Sequence, residues 1–223
     1  MCGRFQLKQT NETTSLLNAL KIKGQARFSD DIAPGSLISF IHKESLDTAI
    51  WWLLLEHDTH KPNYKYASFN SRSDKLNQSR SAGFKPFRES RCIIPASGFV
   101  EGLGDKKTYH KIELEDQAIA FGGLFKEHIN KDSGEIIYSA SIITLPPVQK
   151  WVNIHPKSIP LMLDYKNQEL IDKWLGKQVT VAVKLLNLEM PSDNEIWLTY
   201  ASSKESLFAG NNVLLKLDKI NEN

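Results

Sequence analysis

Ala118-Ile-Ala-Phe-Gly-Gly-Leu-Phe125 and Ile136-Ile-Tyr-Ser-Ala-Ser-Ile-Ile143 decide the fold. Each is a short run of β-branched, aromatic and small residues, and the turn-forming Asn130-Lys-Asp-Ser-Gly134 lies between them. That is the composition of two strands and a hairpin loop. Working outward, Leu37–Ile41, Thr48–Leu55, Arg91–Ile94, Tyr109–Leu114 and Val179–Leu186 read as further strands, and Gly102-Leu-Gly-Asp-Lys-Lys107 as a second hairpin loop. Two segments carry helical spacing instead. Asn11–Leu20 can be capped by Thr10 or Asn11 and aligns Leu16, Leu17 and Leu20; Asp164–Leu175 can be capped by Asp164 and aligns Leu170, Ile171, Trp174 and Leu175. Many strands with two strong helices predict an α+β fold, a mainly antiparallel sheet curled toward a barrel with a few flanking helices. No repeat or Pro/Gly linker divides the chain, so a single domain is expected over residues 1–216, followed by a polar tail, 217–223, expected to fray.

Composition narrows the class. The chain has 223 residues, 41% hydrophobic and 24% charged, enough for a real core and too apolar for wholesale disorder. Its longest apolar run, Ala49–Leu55, falls well short of the ~20 residues of a membrane span, and no signal peptide is visible. Cys2 and Cys92 cannot build a disulfide framework, which fits a reducing cytoplasm.

The net charge of +2 hides an asymmetry. Residues 1–111 carry +6 and residues 112–223 carry −4. Lys61–Arg91 alone carries +6, from Lys61, Lys65, Arg72, Lys75, Arg80, Lys85, Arg88 and Arg91 against Asp74 and Glu89. A local basic block on a near-neutral protein is the footprint of a polyanion groove, or of a solvated basic surface.

Several familiar chemistries lack their motifs. There is no phosphate loop, dinucleotide fingerprint or nucleophile elbow, and Gly102-Leu-Gly104 lacks the third glycine. His57-Asp-Thr-His60 has no further ligand at metal spacing, so neither a metal nor a cofactor is expected. His42, His110 and His128 fall in or beside strands and read as surface or hydrogen-bonded residues.

The N-terminus carries the first positive signal, Met1-Cys2-Gly3-Arg4-Phe5. A small second residue permits removal of Met1, leaving Cys2 with a free α-amine beside its thiol. An α-amine has a pKa of ~8, so roughly a tenth is neutral at pH 7. The neutral amine can attack an aldehyde to give an imine, and the β-thiol can close on the imine carbon to give a thiazolidine. An internal cysteine cannot do this, because its nitrogen is an amide. The plain alternative is a cysteine that happens to stand second and is tucked into the core.

Four further strings follow in order: Ala33-Pro-Gly35, Asn70-Ser-Arg72, Arg91-Cys-Ile-Ile-Pro-Ala-Ser-Gly-Phe-Val-Glu101 and Ile154-His155. With Cys2-Gly-Arg-Phe5 they resemble the SRAP (SOS response-associated peptidase) family, from residue 2 to about residue 160. The resemblance implies a protein that shields abasic sites in single-stranded DNA. Its N-terminal cysteine would trap the ring-opened aldehyde as a thiazolidine crosslink during the response to DNA damage, and a lyase activity is possible at the same site. It implies Cys2 as nucleophile, Glu101 and His155 as proton carriers, and Asn70 orienting the amine and the sugar hydroxyl. Arg4 and Arg72 match phosphate contacts. Pro34 matches a loop that wedges the strand, Trp51 and Trp52 a strand in which one indole is core and the other stacks on a base, and Thr144 and Lys157 weaker backbone contacts. A monomer in the cytoplasm, on the nucleoid after damage, is the implied setting.

The sequence departs from the pattern at Val100, Gly102, Trp52 and Lys157, where the family usually has an aromatic, a tryptophan, a glycine and an arginine; Pro160 also stands one place late. Two other functions stay open. One is a thiol peptidase, with Cys2, His155 and Asn153 as nucleophile, base and orienter. The other is a non-catalytic single-strand binder that uses only the basic block.

Overall fold

The computed structural model describes residues 3–147 and 154–176, and the backbone of 215–221. The paired runs that opened the analysis form β9 (Ile119–Ile129) and β10 (Ile136–Leu145), in register from Ile136 opposite Ile129 to Ile142 opposite Gly123. Asn130 closes the hairpin: its Oδ1 accepts from the Asp132 amide at 3.0 Å, and Gly134 supplies a φ of 72°. Ile119–Phe125 is buried without interruption, which is why the run shows no alternation.

β9 and β10 belong to a closed ring. β10 pairs in parallel with β4 (Ser45–Ile50), β4 with β3 (Leu37–His42), β3 with β6 (Arg91–Ala96), β6 with β9, and β9 back with β10. The fold is thus the expected α+β barrel. Two adjacent glycines let neighbours press onto the ring. A Cβ at Gly122 would stand 2.5 Å from Leu161 Cδ2, and one at Gly123 would stand 3.0 Å from Cys92 Sγ.

A second sheet lies against the barrel. It contains β2 (Ser29–Ile32), β1 (Arg4–Leu7), β7 (Gly98–Gly102), β8 (Thr108–Leu114) and β13 (Leu215–Asn221), neighbours in that order. Phe5 of β1 meets Trp51 edge-on with centroids 4.8 Å apart, and Phe99 of β7 meets Phe121 of β9 at 5.5 Å. These pairs dock the two sheets. β13 pairs with β8 along its whole length, from Leu215 opposite Leu114 to Asn221 opposite Thr108, so Leu217–Asn221 of the tail expected to fray is strand. Val179–Leu186 lies outside the described residues.

α1 (Asn11–Ala19) is capped by Thr10 in a reciprocal box with Thr13. α3 (Gln168–Leu175) begins four residues later than expected. Asn167, not Asp164, caps it, accepting from the Leu170 amide at 3.0 Å, while Asp164 turns the preceding loop by accepting from the Lys166 amide. α2 (Phe84–Glu89) was invisible because Pro86 reads as a breaker, yet a proline in the first turn costs a helix nothing. β4 stops at Ile50 rather than Leu55, because the Trp52 amide turns back to the Ile50 carbonyl at 2.7 Å.

Arg91 also differs from expectation. It is buried and donates to the carbonyls of Phe87 and Trp174, each at 2.7 Å, and to that of Gly176. It therefore ties together the C-terminal ends of α2 and α3, where carbonyls lack helical partners. Burial pulls its pKa down to about 10. Arg88 likewise donates to Leu76 and Phe84 carbonyls and lies over the Phe84 ring. The basic block thus loses Arg91 to the interior of its own fold, and half-buried Arg88 is tied to main-chain carbonyls.

Candidate active site

β1 runs antiparallel to β7, with Arg4 opposite Val100, Phe5 opposite Phe99 and Gln6 opposite Gly98. Followed back toward its first residues, the chain therefore heads to the end of β7 that carries Glu101. Gly3 is the first described residue, and Cys2 lies outside the described ones.

Glu101 is 1% exposed. Burial pushes its carboxyl up to about 7, against the opposing pull of the positively charged amino terminus. A carboxyl poised at 7 can give and take a proton at neutral pH. His155 is buried beside it, with Nδ1 3.7 Å from Glu101 Oε2 and 2.6 Å from the Gly102 carbonyl oxygen. Nδ1–H donates to that carbonyl, so the neutral ring keeps its lone pair on Nε2. Burial lowers the His155 pKa, the Gly102 carbonyl pulls the other way, and the amino terminus and Lys157 add to the lowering.

The departure at Gly102 leaves this contact whole, because it uses a main-chain oxygen. A Cβ at Gly102 would stand 3.2 Å from the Tyr109 ring, so that ring fills the space a side chain would need.

Asn70 opens β5 (Asn70–Arg72), which pairs in parallel with β10, Asn70 opposite Ile142 and Arg72 opposite Thr144. Thr144 also pairs with Pro160 of β11 (Ile159–Pro160). The strand that carries Asn70 and the strand that follows His155 thus flank the same stretch of β10. Trp51 links this region to β1: its ring meets Phe5, and its Nε1 donates to the Phe69 carbonyl at 2.9 Å.

The residues matched to DNA contacts fall into two groups. Arg4, Arg72 and Lys157 are exposed, and Pro34 is half-buried in a tight turn. Arg4 pairs with Asp31, and Arg72 forms a two-pronged pair with Asp74 at 2.9 and 2.8 Å, which raises the arginine and lowers the aspartate. Pro34 and Gly35 form the centre of a turn closed by Ser36 N to Ala33 O at 3.1 Å, with Gly35 at φ 89°.

Thr144 is buried, and the two tryptophans are core rather than one in and one out, at 0% and 6% exposure. Trp52 Nε1 donates to the Asn63 carbonyl at 3.1 Å, and the turn at Ile50 breaks the alternation that strand geometry predicts.

The exposed aromatics nearby are Tyr64, 73% exposed, and Tyr66. Tyr64 packs edge-on against Trp52 at 5.1 Å, and its hydroxyl lies 3.5 Å from where a Gly35 Cβ would be. Lys65 Nζ is 5.8 Å from the Tyr66 ring centre. The signal that finds them is the alternation of bases and aromatics in Lys61-Pro-Asn-Tyr-Lys-Tyr66.

Cys92 is fully buried, and burial raises its thiol pKa well above the ordinary value. Among the described residues no group of three or more His, Cys, Asp or Glu could hold a metal ion. His57 instead pairs with Asp58 at 2.8 Å. Among them, too, no helix is long and apolar enough to cross a membrane.

Comparison with known proteins extends this picture. The chain is 28% identical to abasic site processing protein YobE of Bacillus subtilis (strain 168), over 91% of this chain and 94% of that protein. It is 29% identical to abasic site processing protein YoqW of the same organism, over 91% and 92%. A crystal structure of a Bordetella bronchiseptica protein superposes with a TM-score of 0.68 at 18% identity, covering 98% of this chain and all of that one. A Bacteroides thetaiotaomicron protein superposes with a TM-score of 0.63 at 18% identity, covering 79% and 82%. Both have the same fold. Residues 1–205 match the family described as SOS response associated peptidase (SRAP). The chain belongs to that family.

Proposed function

We propose that this protein processes abasic sites in single-stranded DNA by linking them to its own N-terminal cysteine. The observation that carries the proposal is the buried Glu101–His155 pair at the end of β7, the end toward which β1 leads back to Cys2. After Met1 is removed, the Cys2 α-amine attacks the ring-opened aldehyde, and the resulting carbinolamine loses water to give an imine. The thiol adds to the imine carbon and closes the thiazolidine. One C–N and one C–S bond form, and one water leaves. Glu101 near 7 supplies the proton that dehydration needs and recovers it from the thiol; His155 Nε2 takes the proton of the anomeric hydroxyl and hands it to the ring oxygen as the sugar opens. Asn70 orients the amine. Arg4 and Arg72 meet phosphates by exchanging Asp31 and Asp74 for the strand, the exposed Lys157 meets one beside His155, and Tyr64 and Tyr66 offer ring faces to bases next to the Pro34 turn. The buried tryptophans support that surface from beneath.

Intact mass of the protein mixed with an abasic oligonucleotide tests this. The expected product is the sum of the two, less one water, stable to heat. Cys2→Ala is expected to lose it completely, retaining at most an imine that borohydride traps. A heat-stable adduct at wild-type yield from Cys2→Ala would overturn the mechanism. Binding without any mass change would leave a single-strand binder, and cleavage of added peptide substrates would point to the peptidase alternative.

A further inference from the structure

The β7–β8 hairpin sets a second imidazole beside Glu101. Glu101 stands directly opposite His110 in the antiparallel register, and the pair before it, Phe99 and Ile112, is buried. Val100, Gly102, Tyr109 and Lys111, which flank the two residues, are less buried. Because side chains alternate along a strand, Glu101 and His110 share the inner face, with Cβ atoms about 5 Å apart. His110 is 6% exposed, and its Nδ1 is buried with no hydrogen-bond partner among the described residues. A buried polar atom left so costs about 1–3 kcal/mol, which a phenylalanine on that face would not incur. The other titratable groups around Glu101 are His155, engaged with the Gly102 carbonyl, and the chain's amino terminus. From the other edge of β8, Lys219 of β13 stands in register with His110.

We propose that His110 is a positioning residue for Glu101: through one bridging water its ring nitrogen hydrogen-bonds the Glu101 carboxyl, fixing the orientation from which that carboxyl exchanges protons. The effect on crosslinking rests on the abasic-site proposal above; the contact between the two side chains does not.

The test uses the whole chain. In the wild type, nitrogen NMR of the His110 ring should show a shift that follows the titration of Glu101, and Glu101→Gln should remove that component. His110→Phe should raise the Glu101 midpoint, read from its carboxyl carbon, by about one pH unit, since a partner of the charged form is lost. His110→Gln, which can still hydrogen-bond, should restore it. Crosslinking to an abasic single strand at neutral pH should slow about tenfold in His110→Phe and little in His110→Gln. His110 resonances and a Glu101 midpoint that ignore each other would overturn the proposal even where crosslinking proceeds. Coupled titration with no crosslinking by any form would uphold the contact and sink the abasic-site proposal instead.

Discussion

β6 and β7 come from one unbroken motif, Arg91 to Glu101, separated only by Ser97; β6 buries the guanidinium of Arg91 and β7 the carboxyl of Glu101. The two burials have opposite meanings. Arg91 in β6 is surrounded by carbonyls of two helix ends, so its charge is satisfied and fixed in place. Glu101 in β7 lies beside an imidazole whose Nδ1–H already serves a carbonyl, and its pKa is moved into the working range of a proton carrier. A buried charge with a full set of partners is architecture; a buried charge held near its own midpoint is chemistry. The motif carries both because the barrel ends and the second sheet begins within it.

The sharpest way to break this contrast is Arg91→Met. The carbonyls of Phe87, Trp174 and Gly176 would lose their donor, and stability should fall by roughly 4 kcal/mol in chemical denaturation. The crosslinking rate per folded molecule should stay near wild type. A large loss of rate without loss of stability would place Arg91 with the chemistry.

The second prediction concerns pH. The Glu101 pKa is raised from 4.5 to about 7 in the folded chain. The neutral carboxyl is therefore favoured by the fold, and its contribution is fully present below the unfolded pKa. It is lost as pH rises through about 7. The loss is on the order of 3 kcal/mol. Wild-type Tm should fall between mildly acidic and mildly alkaline pH, and Glu101→Gln should flatten that slope. Equal slopes would show that the carboxyl titrates normally.

A smaller effect is expected at the surface. Tyr64→Ala should weaken binding to single-stranded DNA about tenfold, near 1.5 kcal/mol, while leaving the melting temperature almost unchanged. Trp52→Ala should do the reverse, because that indole is core. Matched losses of binding and stability in both variants would erase the distinction between platform and support.

How much of this was legible follows from the physics of each element. β3, β6, β9 and β10 are apolar runs and declared themselves, as did β8, whose buried residues alternate with less buried ones, and the Asn130 and Gly102 loops. β1, β2, β5 and β7 are short, and their strand character comes from pairing partners that no local window contains. The late start of α3 turned on which of two capping residues, Asp164 or Asn167, the loop left free. Arg91 read as surface charge because composition cannot show that two helix ends converge on it. Among the candidate site residues, Cys2 stood out by the chemistry of an α-amine beside a thiol, whereas Asn70, Glu101 and His155 were pointed to only by the family resemblance, since 53 residues separate Gly102 from the His155 that donates to it. Opposing Glu101 to His110 needed the hairpin register. The tryptophan pair misled because strand alternation was assumed past the point where the strand ends.

The measurement that bears most directly on the central claim is the single-turnover rate of crosslinking by Glu101→Gln, with affinity for a strand bearing a non-reactive abasic analogue measured in parallel. The amide keeps the shape and loses the proton. The expected result is a rate reduced by roughly a hundredfold or more with unchanged affinity. A rate equal to wild type would remove Glu101 from the chemistry and leave it, like Arg91, a buried charge that serves the fold.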